Sequence, residues 1–370
     1  MLTSLSGGSR PTPARSRTLT LLLLLATAAT PALAAPAGAS AMAKGLADEV
    51  TARGDDAGLR REFFQVAKDA NVSFARTFLH WDAKHHFPFP HEVASIRRMA
   101  TEGAAAGIDT LFISFNGELG TRYKTDARKV SLNGYRKFVR KSVAALKGLP
   151  VKLVWSPWNE SNYQTQLPKK HGPEVWRKMQ NIAYEEVKKQ TPKALVVAGE
   201  LAPYARSTAK SSNPGPFLRE ALGLDKNWRA RKGTKAKDYA IKADAFTIHS
   251  YDYKNNPTKR LRSNDMWTIR NLATQRNLLK RAARTKRIPG TAIKRLYITE
   301  FAYIFKVSSQ TIPDTTAATW LQSAWDIAAK NGIRGLLWFN VRDPKAIFFS
   351  GLKDEAGNDR AVLPVFTKLK

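Results

Sequence analysis

"KLVWSPWNES", residues 152–161, opens as strand material and ends in groups that a buried strand does not carry. Leu153 to Ser156 form a short apolar run. Pro157 lacks the backbone N–H that a sheet ladder needs and stops it. Trp158, Asn159 and Glu160 follow at once. Glutamate is among the residues least often buried unless it is paired or used. A carboxylate delivered to the C-terminal tip of an apolar strand therefore points to a fold whose strand tips do chemistry.

Outward from this stretch, similar runs recur: 41–50 (AMAKGLADEV), 72–81 (VSFARTFLHW), 109–115 (DTLFISF), 194–199 (ALVVAG), 245–250 (AFTIHS), 295–300 (RLYITE) and 335–340 (GLLWFN). Most are continuously apolar rather than alternating, as expected of parallel strands covered on both faces. Between them the period changes. Tyr135, Phe138, Val139, Ser142 and Leu146 fall on one helical stripe, and so do Val175, Trp176, Met179, Ala183 and Val187, with Pro173 suited to a first turn. A third stripe, Ala317, Leu321, Ala324 and Ala328, is stopped by Asn331-Gly332. Eight strand–helix units predict an α/β fold, a (β/α)8 TIM barrel. A doubly wound open sheet would carry a glycine-rich turn after its first strand, and "KGLADEV" has none. No linker or repeat divides residues 36–370, which read as one domain.

Residues 1–35 read as a signal peptide: Arg10, Arg15 and Arg17, then the apolar "LTLLLLLATAAT", then Ala32-Leu33-Ala34. The apolar stretch is shorter than the roughly 20 residues of a membrane span. The expected product is secreted, has no transmembrane segment, and is a monomer. The absence of cysteine excludes thiol catalysis and thiolate metal sites.

The formal charge is +31, and removing the three leader arginines leaves +28. Residues 226–242 hold seven basic side chains against Asp238, and 254–295 hold thirteen against Asp265. No recognisable nucleic-acid module accompanies them, so nucleic acid is not the expected partner. A solvated surface is the plain reading; attraction to an anionic wall or glycan is the alternative. The barrel rule predicts the 226–242 run, which follows strand five, on the substrate face.

Barrel chemistry sits at the C-terminal strand ends, where Glu160 (strand four) and Glu300 (strand seven) fall. Either one alone reads equally well as a rim ion pair. Two facing carboxylates are what glycosidic cleavage requires, one giving a proton to the leaving oxygen and the other attacking the anomeric carbon. "HWDAKHH" lacks the matching carboxylates of a metal site, and neither metal nor cofactor is expected.

The segments "WNES" and "ITEF" resemble glycoside hydrolases of clan A, the retaining (β/α)8 enzymes that include families 5 and 39, along most of residues 36–370. The resemblance implies Glu160 as acid/base and Glu300 as nucleophile. It matches Arg76 in "FARTFLHW" to the group's strand-two arginine, and His249 and Tyr251 in "IHSYDY" to its strand-six pair. Trp338 in "LLWF" takes the place of a sugar platform. The segment "FFSGLKDEAGNDRAVLPVFTKL" is similar to the closing segment of extracellular bacterial members. One departure is Ser161, where the common motif reads Asn-Glu-Pro. Asn159 would bond the sugar 2-hydroxyl, and Arg76 and Tyr251 would hold Glu300 ionised. His249 would bind sugar hydroxyls or pair with Glu160. Trp81, His85 and His86 would line subsites. Trp155 or Trp158 would supply an apolar wall for Glu160 if either faces it. The expected substrate is a β-linked poly- or oligosaccharide, neutral or anionic. A non-catalytic carbohydrate-binding barrel or a basic cell-surface protein would keep the aromatics or the charge, but neither needs both glutamates.

Overall fold

All eight apolar runs form strands in the computed structural model, which describes residues 42–204, 210–307, 310–344 and 348–370. The expected signal peptide lies outside the described residues. The strands are β1 (Ala43–Ala47), β2 (Phe74–His80), β3 (Thr110–Asn116), β4 (Lys152–Ser156), β5 (Leu195–Gly199), β6 (Ala245–His249), β7 (Leu296–Phe301) and β8 (Ile333–Phe339). Each pairs in parallel with its sequence neighbours, and β8 closes on β1 from Ala43↔Gly335 to Ala47↔Phe339. The result is the closed (β/α)8 barrel that the pattern predicts. The predicted stripes are the buried faces of helices Leu132–Ala145, Gly172–Gln190 and Asp314–Lys330.

Strand alternation sorts the side chains. Phe74, Phe112, Val154, Val197, Ala245 and Leu337 fill the barrel interior, whereas Trp155, Phe246, Ile248 and Trp338 belong to the larger layer under the helices. The rings of Phe74, Phe112 and Tyr297 form an aromatic floor, with centroids 5.5 Å apart for Phe74–Phe112 and Phe112–Tyr297. Any polar group on the next inward layer is therefore cut off from water below.

Three tips break the alternation, and each break aims a carboxylate. At the end of β5, Gly199 has φ +113°, and a Cβ there would lie 2.1 Å from the Thr247 carbonyl oxygen. Only glycine fits. Glu200 follows with φ +48°, and Glu160 beyond β4 has φ +40°. A left-handed conformation costs a non-glycine residue roughly 1–2 kcal/mol. In β7 the register runs Ile248↔Ile298 and then His249↔Glu300, so Thr299 is an extra residue opposite β6. Strict alternation would send Glu300 outward behind an inward Thr299; the bulge turns it into the barrel mouth.

The basic run 226–242 does not lie as a whole over the substrate face: Trp228 stacks on Trp267 of the loop after β6 at 5.9 Å, but the later part of the run is held elsewhere. Arg287, three residues beyond helix Leu272–Arg284, donates to the carbonyls of Gly223 (3.0 Å) and Thr234 (2.9 Å). Its own carbonyl accepts from Ile241 N–H at 3.0 Å. That helix descends from the tip of β6 to the entry of β7, so its end marks the opposite side of the barrel. The chain is thus drawn down the flank from about residue 231 to Ile241, and that part of the run goes with it.

Candidate active site

Arg76 is the hub of the mouth. β2 points it inward one layer above the floor, where it is buried with 1% of its side chain exposed. Its Nη1 donates to Glu300 Oε1 at 2.7 Å and its Nη2 to Asn159 Oδ1 at 2.9 Å. Its Nε and Nη2 grip both oxygens of Glu200 at 2.9 and 3.1 Å. Glu300 also accepts from Tyr251 Oη at 3.0 Å. His249 Nδ1 lies 3.0 Å from Glu160 Oε1 and 3.6 Å from Glu300 Oε2.

An oxygen of Glu160, an oxygen of Glu300 and a ring nitrogen of His249 all lie within 4.8 Å of one another. This spacing matches the roughly 5–5.5 Å of carboxylate pairs that work by covalent attack; pairs that place a water between acid and sugar stand about 6.5–9.5 Å apart. A cation would have the same donor atoms available. The guanidinium already on Glu300 disfavours a second positive charge there. Ladder bonds fix the geometry: Asn159 N–H donates to Phe115 O at 2.8 Å, Glu160 N–H to Glu200 O at 2.7 Å, and Ser250 N–H to Glu300 O at 3.1 Å.

The charges are unequally matched. Burial raises the carboxyl of Glu300, Glu160 and Glu200 raise it further, and His249 and Arg76 oppose them; the net direction is upward. Burial would likewise raise Glu200, but Arg76 and His249 outweigh it and hold that carboxyl at about 2. For His249 burial acts downward, and the neighbouring Glu300 and Glu160 outweigh it, so the imidazole is raised. Burial pushes the Tyr251 phenol well up, which keeps it a donor.

Of the residues singled out from sequence, Glu160, Glu300, Arg76, Asn159, His249 and Tyr251 meet at this mouth. Trp338 and Trp81 do not. Trp338 is an outward residue of β8, fully buried against Phe301 and Tyr303, and its indole donates to Ser350 O at 2.9 Å. Trp81 is 1% exposed, stacked on Phe138 and edged by Tyr135 and Trp158. Trp155 faces the helix layer and packs on Phe115, and Trp158 belongs to the Trp81 cluster. His85 pairs with Asp82 at 2.8 Å, and His86 lies under Gly134; neither is among the groups joined at the mouth.

Sequence reasoning missed the aromatic surface that is present. Phe339, inward on β8, packs on Phe348 (5.3 Å) and Tyr251 (6.3 Å). Tyr253 stacks on Tyr251 at 5.4 Å, and Tyr204 meets Tyr253 edge-on at 5.3 Å. All but Tyr251 remain half-buried at the mouth. Glu200, Ser114 and Ser156 were missed as well, although "VVAGE" ends a strand in a carboxylate just as "LYITE" does. A cavity of about 590 Å³ opens at the other end of the barrel, and Asp109 is the single carboxylate in its lining, so two-carboxylate chemistry has no seat there.

The barrel resembles those of solved glycoside hydrolases. A family 39 glycoside hydrolase from the gut symbiont Bacteroides cellulosilyticus aligns with a TM-score of 0.60 at 16% identity, over 89% of this chain and 64% of that one. A family 5 protein (GH5_18) from Bifidobacterium longum subsp. infantis gives 0.59 at 14% identity, over 89% and 78%. Cellulose synthase subunit Z of Clostridioides difficile gives 0.56 at 14%, over 88% and 99%. The chain thus spans less than two thirds of the family 39 protein. No family model matches the sequence, and no curated protein is similar to it.

Proposed function

We propose that this protein is a secreted retaining glycoside hydrolase that cleaves a β-linked glycan by double displacement. The observation that carries the reading is the close Glu160–Glu300 pair at the tips of β4 and β7. Glu300 is the nucleophile. Arg76 and Tyr251 bind its two oxygens and orient it toward the anomeric carbon, and the guanidinium stabilises the ionised form. Glu160, whose side chain is 22% exposed against 8% for Glu300, faces the solvent side. It protonates the leaving oxygen and then draws the proton from the incoming water. Asn159, with its carbonyl oxygen held by Arg76, presents its amide N–H2 to the sugar 2-hydroxyl. Phe339, Phe348 and Tyr253 take the platform role expected of Trp338.

The test is turnover of a panel of aryl β-glycosides by purified protein, with and without a chelator. Hydrolysis that survives the chelator supports the reading, and a panel left intact throughout would overturn it. Export is part of the proposal: N-terminal sequencing of secreted protein should begin near Ala35, and a start at Met1 would contradict it.

A further inference from the structure

Glu200 is fully buried beneath the carboxylate pair and is out of reach of a substrate. Its carboxylate takes four side-chain donations: Arg76 Nε at 2.9 Å, Arg76 Nη2 at 3.1 Å, Ser156 Oγ at 2.6 Å, and Ser114 Oγ. Its carbonyl accepts the Glu160 N–H at 2.7 Å, and its own N–H reaches Thr247 O at 3.2 Å. Its backbone sits in the left-handed region behind a glycine that nothing else can replace. Strained backbone persists where the surroundings over-determine it, and such sites are enriched near function. A buried carboxylate is costly unless fully paired, and here the pairing takes most of the one guanidinium that Glu300 also uses.

We propose that Glu200 is a positioning residue for both members of the catalytic pair: its carbonyl fixes Glu160, and its carboxylate holds Arg76 and keeps that cation from being spent wholly on Glu300. This rests on the glycosidase reading. A nucleophile facing an undivided guanidinium would be fully ionised but weakly basic. By dividing the charge, Glu200 leaves Glu300 oriented and more nucleophilic. The charged and titratable groups around Glu300 are Arg76 from β2, Glu160 beyond β4, Glu200 beyond β5, and His249, Tyr251 and Tyr253 from β6 and its loop. Of these, Glu160 and Glu200 raise its carboxyl, and Arg76 and His249 lower it.

The sign follows directly. Replacing Glu200 by Gln removes a negative neighbour, so the Glu300 carboxyl falls. The acid limb of kcat/KM should move to lower pH by about one unit, with a lower plateau. Glu200→Asp keeps the charge, so it should leave the acid limb in place even where its shorter reach lowers kcat. A residue that merely fills space would lower activity in both variants without moving the limb, and that result would overturn the proposal. If Glu200→Gln does not fold, carboxyl-labelled wild-type protein can be titrated by 13C NMR. The signal assigned to Glu200 through its contacts with Ser114 and Ser156 should stay ionised to well below pH 4 while that of Glu300 titrates above the ordinary glutamate range; the two titrating together near pH 4–5 would overturn the proposal. Wild type that turns over nothing would fault the glycosidase reading instead, and the NMR titration would still judge Glu200.

Discussion

Glu160 and Glu300 share a chemistry but not a setting, and removing each should fail differently. On the proposed assignment Glu300→Ala deletes the attacking group and should abolish turnover for every leaving group, a loss on the order of 10⁴-fold or more. Glu160→Ala deletes the proton donor, which a good leaving group does not need. The first step, read as kcat/KM across a series of aryl glycosides, should therefore fall most for poor leaving groups, and azide, entering where the carboxyl stood, should form a β-glycosyl azide. Full activity in either variant would remove the assignment. At this scale the sequence was legible where a residue type was conspicuous: Asn159, Glu160 and Glu300 stand out at apolar strand ends. Glu200 stands at such an end too, and went unread because a third carboxylate has no place in two-carboxylate chemistry. Its role appears only when Arg76 is seen to reach across the barrel to both Glu200 and Glu300.

Strands obey a period of two, and that rule explains both the success and the error at the level of elements. Eight continuous apolar runs were sufficient to place eight strands, because both faces of every strand are buried. The same doubling hides which face points inward. In "GLLWFN" the family resemblance puts the sugar platform at Trp338, yet inward Leu337 makes Trp338 an outward residue and Phe339 the inward one. Bulges and left-handed residues, which aim Glu300 and Glu200, leave no trace in hydrophobic period. The two classes of aromatic should separate on substitution. Trp81→Ala empties a cluster closed on three sides and should cost about 3–5 kcal/mol of stability, read as a fall in the denaturant midpoint with KM unchanged in the folded fraction. Phe348→Ala, at the open mouth, should leave the midpoint nearly in place and raise KM on the order of tenfold. The opposite pattern would return the platform to the buried tryptophans.

At the scale of the whole molecule the basic charge is divided between flank and mouth. Of the basic run that follows β5 in a chain of formal charge +31, the later part is tied to the flank of the barrel through Arg287. Lys254, Lys259, Arg260 and Arg262 of the second basic run are exposed on the loop that follows β6, on the side of the mouth. What unites the molecule is the barrel itself, whose ladder bonds carry β4, β5, β6 and β7 to a common rim and set an oxygen of Glu160 within 4.8 Å of an oxygen of Glu300. On the proposed reading this proximity serves direct attack by Glu300 rather than a water placed between acid and sugar. The anomeric configuration of the first-formed product, followed by 1H NMR from the moment a turned-over β-glycoside is mixed with enzyme, reads this most directly. The β-anomer should appear first and then mutarotate. An initial α-anomer would mean that water, not Glu300, attacks, and would contradict the account.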